Sequence, residues 1–219
     1  DFADLPDNLI ALLAEPKVRS PLPVATRSDV EFVEGGALST FLNEEIQAAL
    51  QNLREIKEGG RNDALFKTAD RIANHVAALG FDWNPIASQF EPVALAIGLE
   101  PAEIAATLES AWKRGSETPT KWLQVASNWI YVASKDQFWS IQTRQLLKTS
   151  AFSMAFADTR PIINGEPAKG KLADILTRYG LIERVMDFKF DPRNQSGFFL
   201  SNGEQFYNQY RQPNILSCE

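Results

Sequence analysis

At 219 residues and 24.4 kDa the chain can hold one large or two small domains with buried cores, and 44% hydrophobic with 23% charged residues exclude disorder as its default state. A formal net charge of −6 argues against coating nucleic acid through bulk electrostatics. No apolar run approaches the roughly 20 residues that span a bilayer, no signal peptide is visible, and the single cysteine, Cys218, has no partner for a disulfide or a zinc site, which fits a reducing, cytoplasmic setting.

Residues 1–36 begin with a short amphipathic piece, Leu5 to Leu13. Pro16, Pro21, Pro23 and the pair Gly35-Gly36 then suppress helix, so this stretch reads as an extended arm or linker. From Leu38 to Glu58 apolar residues recur at three- and four-residue steps (Leu38, Phe41, Leu42, Ile46, Ala49, Leu50, Leu53, Ile56), which predicts an amphipathic helix closed by Gly59-Gly60. A second helix follows in RNDALFKTADRIANHVAALG, with Asn62 placed as its cap and Gly80 as its stop. A third runs from Asn84 to Ile97, where Pro92 predicts a kink or break. A fourth starts at Glu100-Pro101, carries Ile104, Leu108, Ala111 and Trp112 on one stripe, and ends at Gly115. Four such helices joined by short turns predict a helical bundle over residues 37–118.

Beyond GSETPTK the period changes. WIYVASKDQFWSI reads as two strands turning at Ser134-Lys135-Asp136, Gln142 to Phe156 and Lys171 to Tyr179 as helices, and RVMDFKFDP, SGFFLSNG and EQFYNQY as three more strands. Residues 119–219 therefore predict a small α+β domain, and the whole chain an α+β fold that is mainly α. Charge divides along the same line. Residues 1–120 carry 10 Lys+Arg against 19 Asp+Glu (−9), and residues 121–219 carry 12 against 9 (+3).

One stretch has the outline of a phosphate loop: Gly165 to Lys171, GEPAKGK, fits G-x-x-x-x-G-K. A working loop needs a buried strand before it, unbroken N–H donors, and Ser or Thr after the lysine to hold magnesium. Here Leu172 replaces the hydroxyl, Pro167 removes a donor, FADTRPIIN is too polar and proline-broken for a central strand, and only 47 residues of the 219 follow Leu172. The expectation is a glycine-rich surface turn with solvated lysines. An ATPase using Gly165 to Lys171 is the remote alternative.

No catalytic set emerges. His75 is the only histidine, no G-x-S-x-G elbow is present, and Glu44, Glu45, Glu55 and Glu58 fall on the polar side of a helix; no cofactor or metal site is predicted. Trp122, Trp129, Tyr131, Phe138 and Trp139 lie close together beside Lys121 and Lys135. Rings among cations can stack on unpaired bases, yet the ordinary role of such a cluster is the core of a small sheet.

Two motifs carry a resemblance. Gly59 or Gly60, Arg61, Asn62 and Leu65, then Gly98, Leu99, Glu103, Thr107, Leu108, Ser110, Ala111 and Trp112, resemble the helical domain C-terminal to the polymerase domain of phage and plasmid primases, with Leu108 where isoleucine is usual. The later segment, with its Asp191-Pro192 turn and Tyr207-Asn208 pair, is similar to the region preceding the superfamily 3, virus-type helicase of primase-helicase proteins. The resemblance spans roughly residues 37–213. It implies a middle portion with the polymerase domain before Asp1 and the motor after Glu219, a role in holding template DNA or nucleotide, and as partners single-stranded DNA, the neighbouring primase and helicase domains, and copies of itself through the helicase.

On that reading Arg61 and Asn62 sit where a helix N-terminus and a guanidinium can receive a phosphate. Lys67 and Arg71, one turn apart, offer a second contact, and Lys113 and Arg114 close the fourth helix, where cations are favoured anyway. The plainer account has Asn62 capping its helix and Arg61 pairing with an acidic neighbour. A rival from another class is a protein-interaction or oligomerisation module, favoured by the −9 balance of residues 1–120, that never touches DNA.

Overall fold

The computed structural model describes residues 36–56, 59–163, 166–193 and 197–209; the expected arm over residues 1–36 lies, but for Gly36, outside the described residues. Four helices come first: α1 (Ala37–Arg54), α2 (Arg61–Leu79), α3 (Asn84–Ala96) and α4 (Pro101–Glu117). Each presents the stripe its sequence spacing dictates. Leu38, Phe41, Leu42, Ile46, Ala49, Leu50 and Leu53 of α1, and Leu65, Ala69, Ile72, Ala73 and Val76 of α2, are all buried. Helix α3 runs unbroken through Pro92, which lies exposed while Phe90, Val93 and Ala94 beside it anchor the helix in the core. The expected break at that proline is absent.

Helices α2 and α4 pack most intimately, and Gly115 sets how close they come. A Cβ at Gly115 would lie 2.5 Å from Ala73 Cβ and 2.9 Å from the Asn74 nitrogen. Gly115 therefore lies inside α4 as a contact residue, and the helix continues past it to Glu117.

A fifth helix, α5 (Lys121–Asn128), leads into β1 (Trp129–Val132), a 3-10 turn over Ala133–Lys135, and β2 (Gln137–Ser140). Sequence spacing did not reveal α5, and its buried Trp122, Leu123 and Ala126 tie it to the bundle. The expected helix from Gln142 to Phe156 is only partly present. Leu146–Lys148 is a strand, β3, paired antiparallel to β2, and helix α6 covers just Thr149–Ala155. Cross-strand pairing with Gln137, Phe138 and Trp139 overrides the local helical pattern there. Next come a two-residue hairpin, β4 (Ile162–Ile163) with β5 (Glu166–Pro167), and the seven-residue helix α7 (Leu172–Arg178).

RVMDFKFDP yields two short strands, β6 (Glu183–Val185) and β7 (Phe188–Lys189). Strands β8 (Phe198–Ser201) and β9 (Glu204–Asn208) complete the chain as expected. The first sheet has order β3-β2-β1-β6, with β1 and β6 parallel, and the second has order β7-β9-β8. Alternation along β1 sends Trp129 and Tyr131 toward α6, and Ile130 and Val132 toward the second sheet. Phe138 and Phe152 stack at 3.9 Å, both fully buried, and Trp139 meets Phe188 edge-on at 5.0 Å. Trp122 packs edge-on against Phe41 of α1. The aromatic cluster is thus core. One apolar cluster runs without interruption from Leu38 to Ile182, joining the bundle to the first sheet. The fold is α+β and mainly α.

Candidate functional site

The two motif segments of the helical part meet. The turn before α2 is Gly59-Gly60, with φ of +90° and +92°, a left-handed backbone that side-chain-bearing residues rarely adopt and that glycine tolerates. That turn delivers Arg61 onto Gly98, the turn before α4: a Cβ at Gly98 would lie 2.9 Å from the Arg61 guanidinium. One residue on, Asn62 Oδ1 accepts a hydrogen bond from the Thr107 hydroxyl at 2.5 Å. Leu65, Leu108 and Ala111 fill the interface beneath, and Trp112 stacks on Trp83 at 5.6 Å. Gly60 flanks the helix and Arg61 is its first residue. Asn62 therefore does not cap α2 as expected. It lies inside the first turn, and its amide oxygen bonds to a side chain of α4 instead.

Gly59, Gly60, Arg61, Asn62, Asp63, Leu99 and Glu103 border a shallow depression of about 400 Å³. Free N–H groups at a helix start favour an anion there, but Asp63 and Glu103 on the rim oppose one.

The other predicted cations are committed to the bundle. Lys67 pairs with Asp63 at 2.7 Å, one turn back on the same helix. Arg71 pairs with Glu45 of α1, which ties α2 to α1. Arg114 lies 3.7 Å from Asp70 and over the Phe66 ring, which ties α4 to α2. Lys113 is exposed with no ion-pair partner among the described residues. Lys67 and Arg71 thus do not combine into one open phosphate contact. Each points its charge at a carboxylate.

His75 stands where α1, α2 and the entry to α5 meet. Its Nδ1 lies 2.8 Å from the Thr120 hydroxyl and its ring 6.0 Å from that of Phe41. Burial, with a smaller contribution from the charge of Arg71, lowers its pKa to about 4. It is a neutral structural histidine. A groove of about 590 Å³ opens nearby, between the face of α1 bearing Phe41, Glu44 and Ala48 and the corner made by Ile163, Tyr179 and Leu181.

In the second part, the stretch resembling a phosphate loop has no loop architecture. Glu166–Pro167 forms a two-residue ladder with Ile162–Ile163, and Lys171 precedes a seven-residue helix that opens on buried Leu172. Asn164 and Gly165 lie outside the described residues. The Tyr207-Asn208 pair joins the Asp191-Pro192 turn: Asn208, 2% exposed, accepts from the Asp191 N–H at 3.1 Å and donates to the Asp191 carbonyl at 2.9 Å. A buried amide that copies a strand's pairing in this way fixes the turn.

Cations of this part are mostly untied. Lys135 pairs with Asp187, and Lys189 covers the Phe206 ring while donating to Ser201. Arg144, Lys148, Arg160, Lys169 and Lys171 are exposed without an ion-pair partner among the described residues. Those residues also hold no cluster of His, Cys, Asp and Glu able to bind a metal, and no helix among them is long and apolar enough to cross a membrane.

A scan against protein-family models gave no match, and neither the curated proteins nor the solved structures gave one.

Proposed function

We propose that this chain is a non-catalytic region of a DNA-replication primase-helicase, a rigid spacer between a primase and its motor that holds single-stranded DNA weakly. The observation that supports this most is the meeting of the motif residues. Arg61 lies on Gly98, Asn62 bonds Thr107, and Asn208 clasps Asp191, so the residues behind the resemblance are those that build the two halves. The apolar cluster from Leu38 to Ile182 supports the spacer role, because a shared core transmits orientation where a flexible linker would not.

A labelled single-stranded oligonucleotide titrated into the chain at low salt tests the reading, alongside an ATP-hydrolysis assay. Binding that weakens steeply with salt and no hydrolysis are expected. Hydrolysis abolished by a point change within the chain would refute it. The coding region on either side offers a second check. Magnesium-binding acidic pairs upstream and an intact G-x-x-x-x-G-K-[ST] downstream are expected.

The second reading is a protein-docking module that does not contact DNA. Ion pairing of Lys67, Arg71 and Arg114 within the acidic bundle favours it for residues 37–118. On this reading no oligonucleotide binds at any salt.

A further inference from the structure

The base of the β4–β5 hairpin gathers three cations that nothing in the fold explains. In the ladder Ile162 faces Pro167 and Ile163 faces Glu166, and the Ala168 N–H donates to the Pro161 carbonyl at 2.9 Å. Two steps outward from Ile162 and Pro167, just beyond the ladder, that register brings Arg160 level with Lys169. Like charges brought level with one another repel, weakly where both are exposed to solvent. Lys171 follows two residues on, after Gly170 in a positive-φ conformation, as the residue flanking α7. All three side chains are exposed, and none has an ion-pair partner among the described residues. Two nearby carboxylates, Asp158 and Asp174, form no ion pair with them. Asp158 receives the Thr159 hydroxyl, and Asp174 lies in the first turn of α7.

We infer that Arg160, Lys169 and Lys171 form a contact for the phosphodiester backbone of single-stranded nucleic acid. The inference deepens the DNA-holding part of the proposed function and rests on it. A polyanion relieves the repulsion between Arg160 and Lys169, and three separate point charges suit successive phosphates. Exposed Ile162, at 54%, lies two residues from Arg160 and gives the adjoining surface apolar area for a base. The lysines of the apparent phosphate loop thereby acquire a phosphate role without a nucleotide-binding fold.

The test is fluorescence anisotropy of a labelled oligothymidylate against the full chain over a salt series. It compares the unaltered chain, the triple reversal Arg160→Glu, Lys169→Glu, Lys171→Glu, and the triple neutral change to Gln. Melting temperatures within a few degrees of one another confirm that the variants fold. We expect at least tenfold weaker binding for the reversal at low salt and an intermediate loss for the neutral variant. The slope of log affinity against log salt should shrink by about 2, from roughly 0.7 per single-strand phosphate over three contacts. Unaltered binding by the reversal overturns the patch and leaves the DNA-holding role standing elsewhere on the chain. Absence of binding by the unaltered chain overturns both. A labelled mononucleotide bound as tightly as the oligonucleotide also overturns the patch, because a backbone contact requires several phosphates.

Discussion

The bundle and the sheet-bearing part differ in how far their cations are paired. In residues 37–118 Lys67, Arg71 and Arg114 each face a carboxylate, and two of these pairs cross between helices. In the sheet-bearing part Arg144, Lys148, Arg160, Lys169 and Lys171 face solvent. Apolar residues follow another rule, since one core serves both parts, passing from Phe41 through Trp122 to Phe138 and Phe152. Net charge by region thus says little about where an anion would bind; whether each cation already has a partner says more.

The difference can be tested from its strongest element downward. Replacing Phe152 with alanine removes a fully buried ring from the stack with Phe138, Trp129 and Phe156. Chemical denaturation should show a loss of about 3–5 kcal/mol. Because the core is shared, a single transition should move, with helical and aromatic signals shifting together; two separated transitions would show that the halves are independent.

His75 gives the next effect. Its folded pKa lies below its unfolded value near 6.5, so between about pH 6.5 and 4 the unfolded chain binds more protons than the folded one. Stability should fall as pH drops through that window and level off below it, by up to roughly 3 kcal/mol. In a His75→Gln variant the fall should shrink, which urea melts at pH 7 and pH 4.5 would detect.

A smaller loss is expected at the helix contact. Gly115→Ala gains helix propensity of about 1 kcal/mol but drives a methyl into Ala73 and the backbone at Asn74. A net loss of about 1–2 kcal/mol is expected in thermal melts, partly restored by Ala73→Gly. The least effect belongs to Arg71→Gln. Arg71 is 42% exposed, so breaking its pair with Glu45 should cost under about 1 kcal/mol and leave oligonucleotide affinity unchanged. A marked loss of affinity would return Arg71 to the DNA contact assigned from sequence.

Several particulars show how far the sequence could be read. The stripes of α1, α2 and α4 were plain because each helix buries one face at a period near 3.6, which apolar spacing records directly. Helix α5 escaped because KWLQVASN is short and its Trp122 was grouped with the aromatic residues of the strands. Strand β3 lies within a helical local pattern, because LLK has no alternation of its own and is held as a strand by pairing with β2. Asn62 looked like a cap, since the left-handed Gly60 and the reach of Thr107 are not visible in one dimension.

Sequence alone determined that amphipathic helices lead and short strands follow among the described residues, and that the chain carries a single histidine and a single cysteine. Those properties follow from local periodicity and composition. Tertiary structure alone decided which charges are occupied, that Arg61 rests on Gly98, and that the β4–β5 register continues toward Arg160 and Lys169. Pairing partners lie from four to dozens of residues apart along the chain, and their distances are set by how helices and strands pack.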